Sequence, residues 1–515
     1  MDAHPTMGVE RSTRGGAALG MLLGAAFLAR LVALDQPIVE NYVGRQIPTA
    51  MVARNLERGS GFLNPALDVA PFPNRFLVEP PIYAESVVAV RRATGLPLEA
   101  AGRVVSAFGI VLAGWGLFGL AARREGKGVA LGAVAVFLLS PVTLRYGRSF
   151  QPDALMLGCL VAGLRRFDEY AESGGRGRLS AALGLVSIGL ALKVVSAYAL
   201  IPLSAVILKG PFRQRLLLTS ATLVPSILWY TYAAWAIAAR DGSSASADNG
   251  GIWLSVLVPV ALLKGETYRY VGCFLLVRAF TPLGPPLALA GLFLARPRAD
   301  ALWIVWGASA LSAMAALAGK LHHEYYWLSI APLVAVGVAR GLAALGRRGR
   351  AARVVRGILV AGGLAFLIPC SASTWRTPDE WATLREAARQ VGEHCADRWI
   401  AAPEALLFAS GRKGCRLELT TKAARRAAGE WRAEIGDSGP IGLIEFYRRQ
   451  GACYFADVRP KRPSPERLAL HDAVRRRYNV IVDRPGVLIA ELFEPDPAGH
   501  PTWPPKSRRD ATTGR

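Results

Sequence analysis

Six cysteines in 515 residues, with no Cys-x-x-Cys and no His-x-x-His spacing, exclude a thiolate metal centre of the usual kind. Histidine is as scarce, at six. Adjacent His322 and His323 make a poor ligand pair, so no metal is assigned, with a divalent cation kept as an alternative. Acidic residues are also few, 38 Asp and Glu against 61 Lys and Arg. Glycine clusters such as Gly174-Gly175 lack a following Gly-Lys-Ser, which excludes a phosphate-cradling loop. Internal repeats are absent, and after Ser371 there is no long apolar run.

Hydrophobic residues are abundant, at 52% of the chain. They fall in blocks of about 15–20 residues, the length needed for membrane crossings. Roughly eleven spans are expected: about 15–34, 100–122, 128–145, 153–167, 179–192, 194–208, 215–237, 279–295, 301–318, 325–344 and 355–371. The first of these blocks is read as an uncleaved helix, since no small-x-small cleavage site precedes Asp35. The net charge of +23 does not point to nucleic acid. Lys and Arg concentrate in alternate connections, such as Arg123, Arg124 and Lys127, or Arg347, Arg348 and Arg350. That bias places those loops, and the N-terminus, in the cytoplasm, facing anionic membrane lipids.

Residues 35–99 then form an outer loop with two helical pieces, Thr49–Arg58 and Ile82–Ala93, both too short to span. An odd number of crossings puts residues 372–495 outside as well. Their pattern is α/β, with helices at Asp379–Val391 and Ile441–Gln450. Strands are expected at Ala452–Val458, Asn479–Val482 and Val487–Leu492, the last two joined by a Pro485-Gly486 turn. Cys395, Cys415 and Cys453 allow one disulfide or three unpaired thiols. The tail 496–515 reads as disordered. The fold class is therefore mainly α: a polytopic helix bundle, residues 1–371, with a small C-terminal α/β domain.

Ionisable residues gather in the outer connections: Asp35, Glu40, Arg45 and Glu79, then Arg145, Arg148 and Asp153 in RYGRSFQPD. Lys193 interrupts an apolar run, and KLHHEYYW supplies Lys320, His322, His323, Glu324, Tyr325 and Tyr326. Kept so close to a membrane, such groups are candidates for function, although a solvated outer-loop charge is the ordinary alternative for each one. A carboxylate beside several cations suits group transfer from a phosphate-linked donor. The carboxylate takes the acceptor's proton, and the cations stabilise charge on the departing phosphate.

The stretches ENYVGRQIPTAMVARNLERG (40–59), EPPIYAE (79–85), RYGRSFQPDALM (145–156), LKVVSAYALIPL (192–203), HEYYWLSIAP (323–332) and FASGRKGCRL (408–417) carry a resemblance. Together they resemble the GT-C membrane glycosyltransferases, in the branch of protein O-mannosyltransferases and the lipid A aminoarabinose transferase. The resemblance implies a general base at Glu40 or Asp35, with Asp153 as the second acid. It implies that Arg148 and Lys193 contact a lipid phosphate, and that His323, Tyr325 and Tyr326 line the site; Arg45 and Glu79 are further substrate-binding candidates from the outer loop. After Arg45-Gln46, many bacterial relatives have an acidic or polar residue, whereas this chain has Ile47 and Pro48.

The function expected is inverting transfer of a sugar from a polyprenyl-phosphate donor to an acceptor hydroxyl of a protein, lipid or glycan. The reaction would occur at the extracytoplasmic face of a bacterial inner membrane. A polytopic transporter or lipid flippase, and an inactive homologue that binds lipid-linked sugar, are the alternatives.

Overall fold

In a computed structural model, residues 6–40, 43–239, 262–293, 301–318, 321 and 323–493 are described. Two compact units emerge, and each takes more than one stretch of chain.

The first unit, Met1–Tyr42, Val78–Ala236 and Gly250–Arg376, is helical. Its elements include α1 (Thr6–Arg30), then, after an excursion whose helix α2 (Val43–Glu57) belongs to the second unit, α3 (Ile82–Thr94), α4 (Leu98–Glu125), α5 (Lys127–Leu139), α6 (Pro141–Tyr146), α7 (Asp153–Ser173) and α8 (Arg176–Leu192). The Pro80-Pro81 pair opens α3, and Gly95, at φ +71°, closes it in the left-handed conformation that lacks a Cβ penalty. Beyond α8 the chain departs from α geometry: a 3₁₀ stretch, Val194–Ala199, leads to a π turn, Leu203–Ile207. Among the described residues, three helical segments are long and apolar enough to cross a membrane, and a bent pair, Phe212–Ala221 with Val224–Ala238, makes a fourth. Shorter apolar helices, such as Gly284–Phe293 and Ala301–Ala316, accompany them. The expected span at 128–145 is interrupted. Ser140 is extended and Pro141 restarts the helix, because proline cannot donate the hydrogen bond that would continue α5.

Small residues let α4 and α7 meet at backbone distance. A Cβ on Gly109 would lie 2.5 Å from the Ala154 carbonyl carbon, and one on Gly158 would lie 2.3 Å from the Gly109 oxygen. This packing sets the start of α7, which carries Asp153, against the middle of α4.

The second unit gathers Val43–Leu77, Ile237–Asn249 and Thr377–Arg515. A five-stranded sheet, ordered β2-β1-β3-β5-β4, is built from β1 (Ile400–Ala402), β2 (Gly414–Arg416), β3 (Tyr454–Val458), β4 (Asn479–Arg484) and β5 (Val487–Glu491). The β1 strand pairs in parallel with β2 and β3, while β5 runs antiparallel to β3 and β4. The expected helix at Ile441–Gln450 is Gly439–Arg449, and Pro485-Gly486 makes the expected hairpin. The expected helix from Asp379 begins later, at Leu384, after a short 3₁₀ turn. Strands β1 and β2, three residues each, and the helix Pro465–Arg477 were not anticipated. Cys395 and Cys415 are buried thiols, Cys453 is half-buried, and none is in a disulfide. Leu443, Ile444, Phe455, Val474 and Leu488 form the core beneath the sheet.

The segment after α2 closes the β2 edge. Val69 bridges Gly414 in parallel, with Ala70 donating to the Gly414 carbonyl at 2.8 Å and Gly414 donating to Asp68 at 3.0 Å. Asp68 is fully buried, held by Arg54 at 2.5 Å and by Asn55 at 3.2 Å. Arg54 also donates to the Phe408 carbonyl at 2.6 Å, tying α2 to the helix Glu404–Ser410. An otherwise open sheet edge is thereby covered.

Candidate active site

Charged residues inside the first unit are buried in pairs. Glu40 accepts from Arg103 at 3.0 Å, and neither side chain reaches solvent. Arg103 itself comes from the first turns of α4 and also donates to the Leu34 and Pro37 carbonyls, so it pins the loop that carries Glu40. Arg148, fully buried, donates to the Ala33 carbonyl at 2.8 Å and to Gln36 at 3.2 Å, and its charge acts on Glu40. Burial pushes the Glu40 carboxyl above the usual range, against the pull of Arg103 and Arg148. Burial, with repulsion from Arg103, brings the Arg148 guanidinium down to about 10, so it remains charged at neutral pH.

A second pair lies at the start of α7. Asp153 accepts from Lys193 at 2.6 Å, both almost fully buried. At the N-terminus of its helix, Asp153 meets the positive end of the helix dipole as well. The Lys193 ammonium lies 3.9 Å from the Tyr325 ring centroid and 5.2 Å from that of Tyr326. His323 stacks on Tyr325 at 5.4 Å. Asp153, Tyr198, Tyr325 and Tyr326 line a narrow cavity between these elements.

Tyr83 of α3 joins the two pairs. Its hydroxyl binds Ser106 and the Gly102 carbonyl, within electrostatic reach of both Arg103 and Asp153. Several polar atoms here have no hydrogen-bond partner among the described residues: Arg148 Nε and Nη1, both amide atoms of Gln151, and Asp153 Oδ2. Buried polar atoms usually find partners in protein, water or ligand.

Of the residues expected from sequence, the first unit thus brings Glu40, Arg148, Asp153, Lys193, His323, Tyr325 and Tyr326 into one buried region. Asp35 is exposed and Glu79 half-buried. Arg45 belongs to the second unit, where its guanidinium lies over Phe76. Lys320 and His322 lie outside the described residues. No group of three His, Cys, Asp or Glu that could hold a metal ion occurs among the described residues. Arg103, Tyr83 and Gln151 were missed. Arg103 had a readable signal, an arginine within an otherwise apolar run, which demands a buried partner.

No protein-family model and no curated protein matches the sequence. Comparison of structures is informative, because the fold is that of the GT-C membrane glycosyltransferases. ArnT from Cupriavidus metallidurans bound to undecaprenyl phosphate is similar over 92% of this chain and 97% of its own, with a TM-score of 0.60 and 14% identity. Arabinofuranosyltransferase AftD from Mycobacteria is similar over 92% of this chain and 40% of its own, at 0.56 and 15%. The Archaeoglobus fulgidus oligosaccharyltransferase, in complex with zinc and sulfate, is similar over 85% and 68%, at 0.53 and 12%. The apolar helices and this likeness together make the chain an integral membrane protein.

Proposed function

We propose that the protein transfers a sugar from a polyprenyl-phosphate donor to an acceptor hydroxyl, at the outer face of a bacterial inner membrane. One observation carries this reading: two buried carboxylates, Glu40 and Asp153, each held by a cation, lie in one unit beside unpartnered polar atoms. The relatives in fold support the donor class, since one of them binds undecaprenyl phosphate.

Glu40 is our first choice for the base, since burial raises its proton affinity above that of an ordinary carboxylate. It takes the acceptor hydroxyl proton as the acceptor oxygen bonds to the glycosidic carbon. The carbon–oxygen bond to phosphate breaks on the opposite side, inverting configuration, and its electron pair leaves with the phosphate. Arg148 and Lys193 face that growing charge. Asp153, neutralised by Lys193, positions the ammonium and is the rival base. The tyrosines and His323 wall the sugar from water.

Purified protein incubated with labelled polyprenyl-phosphate sugars and membrane extract is expected to give a labelled acceptor and free polyprenyl phosphate. If no donor binds and no label moves, the reading is wrong.

A further inference from the structure

An apolar cleft of the first unit lies beside charges that the site above does not use. The cleft, about 300 Å³, runs between α5, the helix Gly284–Phe293, the helix Ala331–Gly346 and the helix Arg350–Ser371. Leu139, Leu287, Val338 and Leu364 line its length, and Ser140, Pro141, Phe280 and Thr281 line it too. Those last four residues adjoin in sequence the segments that carry a partly buried ionic group. Pro141 begins α6, which carries Arg145, and Arg278 is two residues before Phe280. A backbone hydrogen bond from Val142 to the Ala279 carbonyl, 3.1 Å, joins the two segments.

Glu324 lies between the two arginines. Arg145, almost fully buried, donates to Glu324 at 2.6 Å and to the Arg278 and Cys370 carbonyls. Arg278 reaches Glu324 through Nε alone, and its side chain is 40% exposed. Its two terminal nitrogens have no partner among the described residues. The ring of Tyr325, next in sequence, carries Lys193. Two arginines and one glutamate give the group a net charge of +1.

We infer that Glu324 sets the charge at the phosphate end of the carrier's cleft so that spent carrier can leave; this rests on the donor class proposed above. A polyprenyl chain suits an apolar cleft, and its phosphate, faced by Arg148 and Lys193 during transfer, then meets Arg278 on release. The donor is a phosphodiester with a single negative charge. The product is a monoester, at neutral pH nearly a dianion, since its second pKa is about 6. A site of charge +2 holds the product far more tightly than the donor and chokes turnover. The Glu324 carboxylate repels the second charge selectively. It touches neither reacting atom, and it acts on release.

The test uses full-length protein in nanodiscs and two probes, undecaprenyl phosphate and its methyl phosphodiester. Glu324→Gln keeps the size and an acceptor for Arg145, and Glu324→Asp keeps the charge. In Glu324→Gln, affinity for the monoester is expected to rise about tenfold relative to the diester, as one charge pair a few ångströms apart in a partly wet site allows. The gain disappears at pH 5, where the monoester carries one charge. Glu324→Asp keeps the parent's ratio. If both probes weaken equally in Glu324→Gln, or both variants shift the ratio alike, Glu324 only holds Arg278 in place and the inference is overturned. If the parent binds neither probe, the donor class itself is wrong and the inference falls with it.

Discussion

Glu40 and Asp153 compete for one role, and their surroundings separate them. Glu40 is paired with Arg103 and feels the charge of Arg148, with burial raising its proton affinity, while Asp153 is neutralised at 2.6 Å by a single lysine. Removing a general base lowers turnover by roughly 100- to 10,000-fold and leaves donor binding nearly intact. Glu40→Gln is expected to show that split, and Asp153→Asn is expected to weaken both, because Lys193 loses its anchor. Asp35→Asn, at an exposed position, should behave as the parent. A parent-like rate in Glu40→Gln would remove it from the mechanism. A pH profile gives a second check. The base works deprotonated, so kcat/KM falls as pH drops through its pKa, and burial places that limb above the ordinary carboxylate range. Arg103 pulls the pKa down, so Arg103→Gln should move the limb to still higher pH; a downward shift would contradict the assignment. At this scale the sequence was legible where charge interrupts a motif, as at Asp153 or Lys193. Arg103 and Arg278 were overlooked because neither stands in a recognisable motif. Their meaning comes from partners 63 and 46 residues away.

Among elements, the contact between α4 and α7 matters most for the site, since it sets Arg103 and Asp153 on neighbouring helices. Gly109→Leu would drive a side chain into the backbone at Ala154, one residue beyond Asp153. Overpacking of this kind costs about 1–3 kcal/mol, and a fall in thermal stability together with a loss of turnover is expected. Gly128→Ala, where a Cβ meets nothing within 4 Å, serves as the control and should leave both unchanged. Equal stability in the two variants would show that the helices can separate at no cost. Helices and the final hairpin were readable from periodicity and from the Pro485-Gly486 turn. Strands β1 and β2 were not, since three residues hold too little alternation to register. The break at Ser140 was missed because the flanking apolar residues run on without change of composition, and only Pro141 marks it.

For the whole molecule, the bridge between Val69 and Gly414 constrains topology without reference to charge. Both residues belong to one folded unit, so they stand on the same side of the membrane, and the chain between them crosses an even number of times. The spans read from sequence between residues 77 and 377 number ten, which satisfies that parity. Leu63→Cys and Leu468→Cys, both at exposed positions, are therefore expected to react with the same impermeant reagent from the same side, in a Cys273→Ser background. Labelling from opposite sides would rule out the shared unit. Reporters fused after Arg348 and after Trp375 should report opposite sides, the first cytoplasmic. A sheet edge paired across the chain was not legible from sequence, because Asp68 and Gly414 carry no local signal of each other. The same bridge has a consequence for biogenesis. Val69 leaves the ribosome 345 residues ahead of Gly414 (414 − 69), which at about 5–20 residues per second is a wait of roughly 17–70 seconds. Through that interval the loop must cross the membrane early and remain unpaired, with the Asp68 carboxylate hydrated, until the last domain arrives to claim it. A ribosome stalled anywhere before Gly414 would therefore leave an inserted bundle displaying an orphaned loop, a form that quality-control proteases could tell from the finished protein.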